Sequence, residues 1–148
     1  MPDVRCQSKA PANIRHPTSD ICLMKLFTVE EANALLPTAR RVVGRIQRAY
    51  ARVSAAQEGA RQAAAGAERG GGGMEGGGDY VLALSDLAAA SGELEELGVQ
   101  LKDYERGLID FPTMRDGRVV LLCWQMGEGD TLEWWHDLEA GFAGRQPL

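Results

Sequence analysis

Cys123 and His136 are the residues whose types and spacing are best suited to chemistry. They form the one cysteine–histidine combination outside the first 23 residues. Two carboxylates lie near them along the chain, at Asp110 and Glu128. Thiolate, imidazole and carboxylate groups bind zinc, and three such ligands beside an open position are typical of catalytic zinc sites. The sequence therefore makes a divalent metal a candidate cofactor, with Cys123, His136 and Glu128 as its ligands and Asp110 as a further carboxylate.

Two other interpretations of Cys123 stay open. A cysteine–histidine pair can act as a nucleophile and its base, but the thiol must then be exposed and have a low pKa. The apolar run around Cys123, from Val119 to Trp124, instead favours a small buried core residue. The sequence favours this structural role over both kinds of chemistry.

A ligand-binding surface is the alternative role for the last forty residues, which contain all three tryptophans. Tryptophan and arginine are enriched in binding hot spots. The candidate binding residues are Asp110, Trp124, Glu128, Trp135, His136 and Arg145. The chain end is expected to fold back, with Phe142 buried and Arg145 bridging a carboxylate of Asp110, Glu128 or Asp137.

Three short β-strands are expected to hold these residues. Residues 108–111 suit a strand that ends at Pro112, residues 118–124 a central strand covered on both faces, and residues 131–135 a third strand. Asp116–Gly117 is a tight-turn signal between the first two strands. Trp134 and Trp135 must point to opposite faces of the third strand because side chains alternate.

Helices are expected upstream. Thr28 and Glu31 form a capping-box pattern with Phe27 before it, and Pro37 should end a first short helix and begin a second. The second helix has an apolar stripe at Ala39, Val42, Val43, Ile46, Ala49, Tyr50 and Val53. A third helix should begin near Asp79 and end at Gly107, and its leucines at 87, 94 and 101 have coiled-coil spacing.

The long helices carry opposite charge. Residues 37–69 contain seven arginines and two glutamates, whereas residues 79–106 contain seven acidic residues and two basic ones. An antiparallel helical hairpin that pairs acid with base explains this pattern. Nucleic-acid binding by the arginine face is a weaker alternative, because the formal net charge of the chain is −5.

The expected fold class is α+β, with a long antiparallel helical hairpin packed on a small three-stranded antiparallel sheet and an ordered C-terminal tail. Residues 1–23 are expected to be a disordered or misassigned extension, and residues 24–148 a single domain with a flexible glycine-rich loop at about 66–79. No apolar stretch suits a membrane span and no secretory signal is evident, so a cytoplasmic protein with reduced cysteines is expected.

The sequence resembles the bacterial domain-of-unknown-function family 2203 from Lys25 to Leu148. The resemblance rests on FTVEEANALLP at 27–37, ELGVQLKD at 96–103, GLIDFP at 107–112, LCW at 122–124, GE at 127–128 and WHDLEAGFAGR at 135–145. It implies a small cytosolic bacterial protein without an established activity. The family's signature positions correspond here to Asp110, Phe111, Cys123, Trp124, Glu128, Trp135, His136, Gly141 and Arg145.

The functional expectation is a protein- or ligand-binding module that uses the 108–148 sheet-and-tail surface, with a protein partner or a homodimer. The first alternative is a metal-dependent enzyme or metal-binding protein with the cysteine–histidine–carboxylate site. The second is nucleic-acid binding by the arginine-rich helix. The sequence does not decide whether the protein is an enzyme.

Overall fold

The computed structural model describes residues 24–67 and 76–148, which form two packed α-helices and an antiparallel β-sheet. The predicted α+β class is confirmed, but the sheet has five strands rather than three. The elements, in chain order, are α1 (Val29–Ala67), α2 (Gly77–Glu96), β1 (Gln100–Asp103), β2 (Leu108–Arg115), β3 (Arg118–Gln125), β4 (Trp134–Asp137), a 3₁₀ turn (Phe142–Gly144) and β5 (Gln146–Pro147).

Two predicted segments lie partly or wholly outside the described residues. The extension at residues 1–23 lies outside the described residues, as do residues 68–75 of the predicted glycine-rich loop. Among the helices of residues 24–67 and 76–148, none combines the length and the apolar character that a membrane span requires.

The start of α1 forms as predicted, but the break at Pro37 does not. The Thr28 amide donates to the Glu31 carboxylate at 2.8 Å, and the Glu31 amide donates to Thr28 Oγ1 at 3.1 Å, completing the capping box. The helix then continues through Pro37. Apolar residues are fully buried both before and after the proline, at Leu36 and Val43 among others. Each such side chain contributes roughly 1.5–3 kcal/mol, so together they outweigh a proline cost of about 3 kcal/mol.

Helix α2 ends at Glu96, eleven residues before the predicted end at Gly107. Gly98 has a φ of +84°, its amide donates to the Glu95 carbonyl, and the Val99 amide donates to the Leu94 carbonyl. These two bonds form a Schellman motif, and the accompanying contact is between the buried Val99 and Leu94. Leu101 therefore lies in β1, and the predicted seven-residue leucine seam through it is wrong.

The sheet has the order β1-β2-β3-β4-β5 with every neighbouring pair antiparallel. The predicted Asp116–Gly117 turn joins β2 to β3, and both residues have positive φ, 50° and 76°. Strand β2 passes through Pro112 because β1 pairs only with residues 108–110, so no β1 carbonyl needs a Pro112 amide. The Phe27 amide instead donates to the Pro112 carbonyl at 2.8 Å.

The two faces of the sheet have different roles. One face packs on the helices and forms the hydrophobic core, with Ile109, Phe111, Val120, Leu122, Trp124 and Trp135. Cross-strand pairing places Asp110 beside Cys123, Pro112 beside Leu121, and Leu121 beside His136 on the other face. Three of the residues singled out for metal chemistry, Asp110, Cys123 and His136, therefore lie on the side of the sheet that faces away from the helices.

Ion pairs follow the charge pattern of the hairpin. Arg45 on α1 pairs with Glu93 on α2 at 2.5 Å, and Arg52 pairs with Asp86 at 2.8 Å. The residue numbers rise along one helix as they fall along the other, which is the antiparallel arrangement predicted from the sequence. All four side chains are close to half exposed or more, so these pairs select the register more than they stabilise the fold.

Candidate metal centre

Three buried side chains from three adjacent strands meet on the outer face of the sheet. Asp110 on β2, Cys123 on β3 and His136 on β4 each place one carboxylate oxygen, sulfur or ring nitrogen within 4.8 Å of the other two. Asp110 is 1%, Cys123 1% and His136 3% exposed. Asp110 is the direct cross-strand partner of Cys123, whereas His136 lies diagonally opposite Cys123 because its own partner is Leu121. Strand register alone thus assembles the group.

The imidazole of His136 is oriented by the backbone. Its Nδ1 lies 2.8 Å from the carbonyl oxygen of Asp137, which can only accept, so Nδ1 carries a proton. In the neutral ring, Nε2 then has the lone pair, and it lies 3.3 and 3.4 Å from the two carboxyl oxygens of Asp110. A metal-binding histidine characteristically donates its other ring N–H to a carbonyl or carboxylate. His136 has this arrangement.

The environment of the group disfavours a free thiolate. Burial raises the pKa of the Cys123 thiol to about 12, and the neighbouring Asp110 charge adds to the increase. Burial also raises the pKa of the Asp110 carboxyl above its usual 3.8, against the opposing influence of His136. Both shifts have the same cause, because ionised groups lose hydration at this site. A nucleophilic cysteine needs the opposite environment, so the geometry does not support that interpretation.

Glu128, the third ligand of the predicted metal set, lies outside this group. Its carboxylate accepts two hydrogen bonds from the Arg145 guanidinium, at 2.5 and 2.8 Å, and one from the Gln125 amide at 2.8 Å. Burial alone would raise the pKa of Glu128, but these bonds and the Arg145 charge lower it overall. Arg145 also donates to the Cys123 carbonyl at 3.3 Å. The predicted bridge from Arg145 to a carboxylate is therefore present, and Asp110 takes the place of Glu128 beside the thiol.

The tail itself folds back on the sheet, with one difference from the prediction. Phe142 is 38% exposed rather than buried. The guanidinium carbon of Arg145 lies 4.5 Å from the centroid of the Phe142 ring and 5.6 Å from the centroid of the Trp134 ring. Phe142 thus covers the arginine instead of filling the core.

Trp124 and Trp135, the two tryptophans among the predicted binding residues, lie on the core face of the sheet. Trp124 is 1% exposed, and its indole N–H donates to the Gly129 carbonyl at 2.9 Å. The Trp135 indole N–H donates to the Pro147 carbonyl at 3.1 Å, and this bond holds the last strand in place. The six predicted binding residues therefore divide into three places: Asp110 and His136 at the buried group, Trp124 and Trp135 in the core, and Glu128 with Arg145 at the tail.

Two features of the site escaped the sequence analysis. Trp134, rather than Trp135, lies on the same face as Cys123, as its direct partner in β4. Strand alternation showed that the two tryptophans face opposite ways, but it did not show which one faces the cysteine. The carbonyl of Asp137 that orients His136 is a backbone group, so no residue type signals it.

The donor set has a definite chemical character. One sulfur, one nitrogen and one oxygen ligand suit Zn²⁺, which accepts thiolate, imidazole and carboxylate in tetrahedral sites. The separation of 3.3 Å between His136 Nε2 and an Asp110 oxygen fits two ligands that each lie about 2.0–2.2 Å from one ion at a near-tetrahedral angle. A bound cation would also offset the cost of ionising Cys123, since a coordinating thiol is deprotonated outright.

Comparison with known proteins gives a family but no activity. The chain matches the family described as "Uncharacterized conserved protein (DUF2203)" over residues 25–148, the stretch that includes every residue of the site. Neither the curated proteins nor the solved structures contain a match. The match covers most of the chain, and the protein therefore belongs to the DUF2203 family.

Proposed function

We propose that this protein binds a divalent transition metal, Zn²⁺ being the ion best suited to the donor set, through Asp110, Cys123 and His136. The observation that carries the proposal is the convergence of three buried ligand atoms of different chemistry within 4.8 Å. Three protein ligands leave a fourth position for water or a substrate, so the site has the ligand count of a catalytic zinc centre.

The burial of the group supports a metal over a purely structural role. A buried carboxylate, thiol and imidazole form a costly core, because each polar group loses hydration and Asp110 has its pKa raised as a result. Apolar residues on these three strands would avoid that cost. A cation bound among the three groups would compensate for their desolvation.

We also propose that the protein works in a reducing location such as the cytoplasm. Cys123 is a free cysteine, and only its reduced form can ligate a metal. Binding should also release a proton from the thiol, so affinity should rise with pH.

The first experiment measures metal content by elemental analysis after the full-length protein is loaded with zinc and desalted. We expect about one equivalent of zinc in the wild type, and its loss in Asp110→Asn, Cys123→Ser and His136→Gln, because each removes one ligand. Glu128→Gln is the matched control. It neutralises a carboxylate that the sequence makes a candidate ligand but that the structure pairs with Arg145, so this variant should keep its zinc.

A second measurement tests the metal centre without replacing any proposed ligand, in case a ligand variant does not fold. Cobalt(II) bound to the otherwise native protein should show the charge-transfer absorption of a thiolate ligand. The same absorption should persist in Cys6→Ser/Cys22→Ser, which leaves Cys123 as the single cysteine. Zinc retained by folded Cys123→Ser and His136→Gln, or a cobalt spectrum without thiolate absorption, would refute the metal centre.

A binding surface on the sheet and tail is the second candidate. Three bulky apolar side chains are exposed near the chain end: Leu138 at 45%, Phe142 at 38% and Leu148 at 43%. Exposed apolar groups of this kind can contact a partner. The same metal analysis separates the two functions, since a plain binding module would hold no stoichiometric zinc.

A further inference from the structure

A second place in the molecule combines unpaired positive charge with an open groove. The groove has a volume of about 700 Å³ and runs along α1 beside the end of β3. Its lining includes Arg41, Gly44, Arg45, Arg48, Glu93 and Met126. None of them belongs to the proposed metal centre.

Arg41 and Arg48 have no carboxylate within 4.0 Å among residues 24–67 and 76–148. Four other arginines of α1 have such partners there, as Arg40 does with Asp130. Arg41 makes a single long hydrogen bond, 3.4 Å, to Thr38 Oγ1. The two residues are seven apart, so their Cα atoms lie about 10 Å apart along one face of the helix. Both guanidinium groups therefore line the same groove.

Gly44 opens the floor of the groove between these two arginines. A Cβ there would lie 3.5 Å from a guanidinium nitrogen of Arg48 and 3.9 Å from Met126 Cε. Arg48 therefore extends across the bare backbone toward the apolar wall formed by Met126. Any long side chain at position 44 would occupy this space.

Arg45 supplies a third guanidinium, which is held by Glu93. Both side chains of this pair are close to half exposed, at 50% and 44%, so the ion pair is weak and can be exchanged for another anion. A fourth arginine of the groove, Arg40, is held by Asp130, so three guanidinium groups remain for a ligand against the single carboxylate of Glu93.

We infer that this groove binds an anion carrying two or more phosphate groups. Arginine presents a planar fork of donors that matches phosphate oxygens, and several guanidinium groups spread over two helical turns suit an extended anion better than a single phosphate. A small anion fits better than a nucleic acid. The acidic helix α2 borders the groove, and the chain has a net charge of −5, so a long polyanion meets repulsion outside the groove.

The test is isothermal titration of inorganic pyrophosphate into the full-length protein, in buffer free of divalent metal so that the metal centre plays no part. Arg41→Gln/Arg48→Gln should weaken binding roughly tenfold or more, because two charge-assisted contacts are lost. Gly44→Leu should also weaken it, since it fills the groove without changing the charge. Glu93→Gln should strengthen binding because it frees Arg45.

Arg61→Gln is the matched control. Arg61 lies on the same helix, outside the groove, and pairs with Glu58 at 3.8 Å, so its loss should leave the affinity unchanged within about twofold, as expected for a remote exposed charge. The inference fails if pyrophosphate does not bind, if inorganic phosphate binds equally well, or if Arg61→Gln weakens binding as much as the double variant. Tighter binding of a DNA duplex than of pyrophosphate would also overturn it.

Discussion

At the scale of single residues, the same residue types serve two separate purposes in the C-terminal region. Asp110, Cys123 and His136 lie within 4.8 Å of one another, and burial raises the pKa of both the Asp110 carboxyl and the Cys123 thiol. Glu128 is paired with Arg145, and this pair fastens the tail to the sheet through the Cys123 carbonyl. Nearness in sequence to Cys123 therefore does not decide which carboxylate lies beside its thiol.

The pair formed by Glu128 and Arg145 gives the first residue-scale prediction. At neutral pH, Glu128→Gln should lower the free energy of unfolding by about 1–2 kcal/mol, since the charge-assisted bonds become weaker ones and solvent partly screens the pair. The pKa of Glu128 is lowered in the folded state. Its contribution is therefore complete above the ordinary value of 4.5 and is lost as pH falls through the lower folded pKa.

Urea unfolding of wild type and variant, at neutral pH and in steps below pH 4.5, measures this difference. The two proteins should converge in stability at the acid end. Glu139→Gln serves as the control because Glu139 is exposed, and it should change stability by no more than about 0.5 kcal/mol. A gap between wild type and Glu128→Gln that widens as the pH falls would contradict the assignment.

At the scale of elements, local signals compete with burial. The capping box begins α1 where the sequence predicts, but Pro37 does not end it, because the apolar stripe on both sides is buried against the sheet. In α2 the competition has the opposite outcome. The leucine spacing continues past Glu96, yet Gly98 ends the helix by adopting a left-handed conformation that other residues rarely take.

Two glycines of this region should respond to alanine with opposite signs. Gly92 lies inside α2, where an added Cβ meets no atom within 4 Å, so Gly92→Ala should stabilise the protein by roughly 0.5–1 kcal/mol. Gly98 has a φ of +84°, and an added Cβ would lie 2.8 Å from Lys25 Cβ. Gly98→Ala should therefore destabilise by about 1–2 kcal/mol.

Chemical denaturation of the two alanine variants checks both values in one series. Each variant controls for the other, since the residue change is identical and both sites are within six positions. Equal effects at Gly92 and Gly98 would show that the Schellman motif does not end the helix in the way described.

At the scale of the whole molecule, the two faces of the sheet have different chemistry. The hairpin covers one face and forms the core, while the buried group of Asp110, Cys123 and His136 lies on the other. The group involves three of the five strands, so it exists only when β2, β3 and β4 are paired in register. Metal binding should therefore stabilise the folded molecule as a whole.

Zinc at about 100 times its dissociation constant should add roughly 2.7 kcal/mol to the free energy of unfolding. For a chain of this size, that corresponds to a rise in Tm of roughly 5–11 °C. Differential scanning calorimetry with and without zinc measures the shift. Cys123→Ser should show almost none of it, and an equal rise in this variant would show that the zinc binds elsewhere.

The sequence by itself determined the features that depend on neighbours a few residues apart. These are the Thr28 cap, the buried stripe of α1 on either side of Ile46, the turn at Asp116–Gly117, the strand around Cys123 and the opposite facing of Trp134 and Trp135. The underlying interactions are hydrogen bonds within one turn and the fixed periods of helix and strand. The family membership could also be recognised from the sequence, because the matching segments are spread along the chain.

Only the tertiary structure decided which distant residues meet. The choice of Asp110 over Glu128 as the carboxylate beside Cys123 follows from the register of β2 against β3 and from the reach of Arg145. Strand β5 exists because its residues pair with β4 and the Trp135 indole donates to Pro147, contacts that a two-residue segment cannot signal. The physical reason is the same in each case. Register, burial and ion pairing between strands depend on the packed arrangement of segments far apart in sequence, so no local pattern contains them.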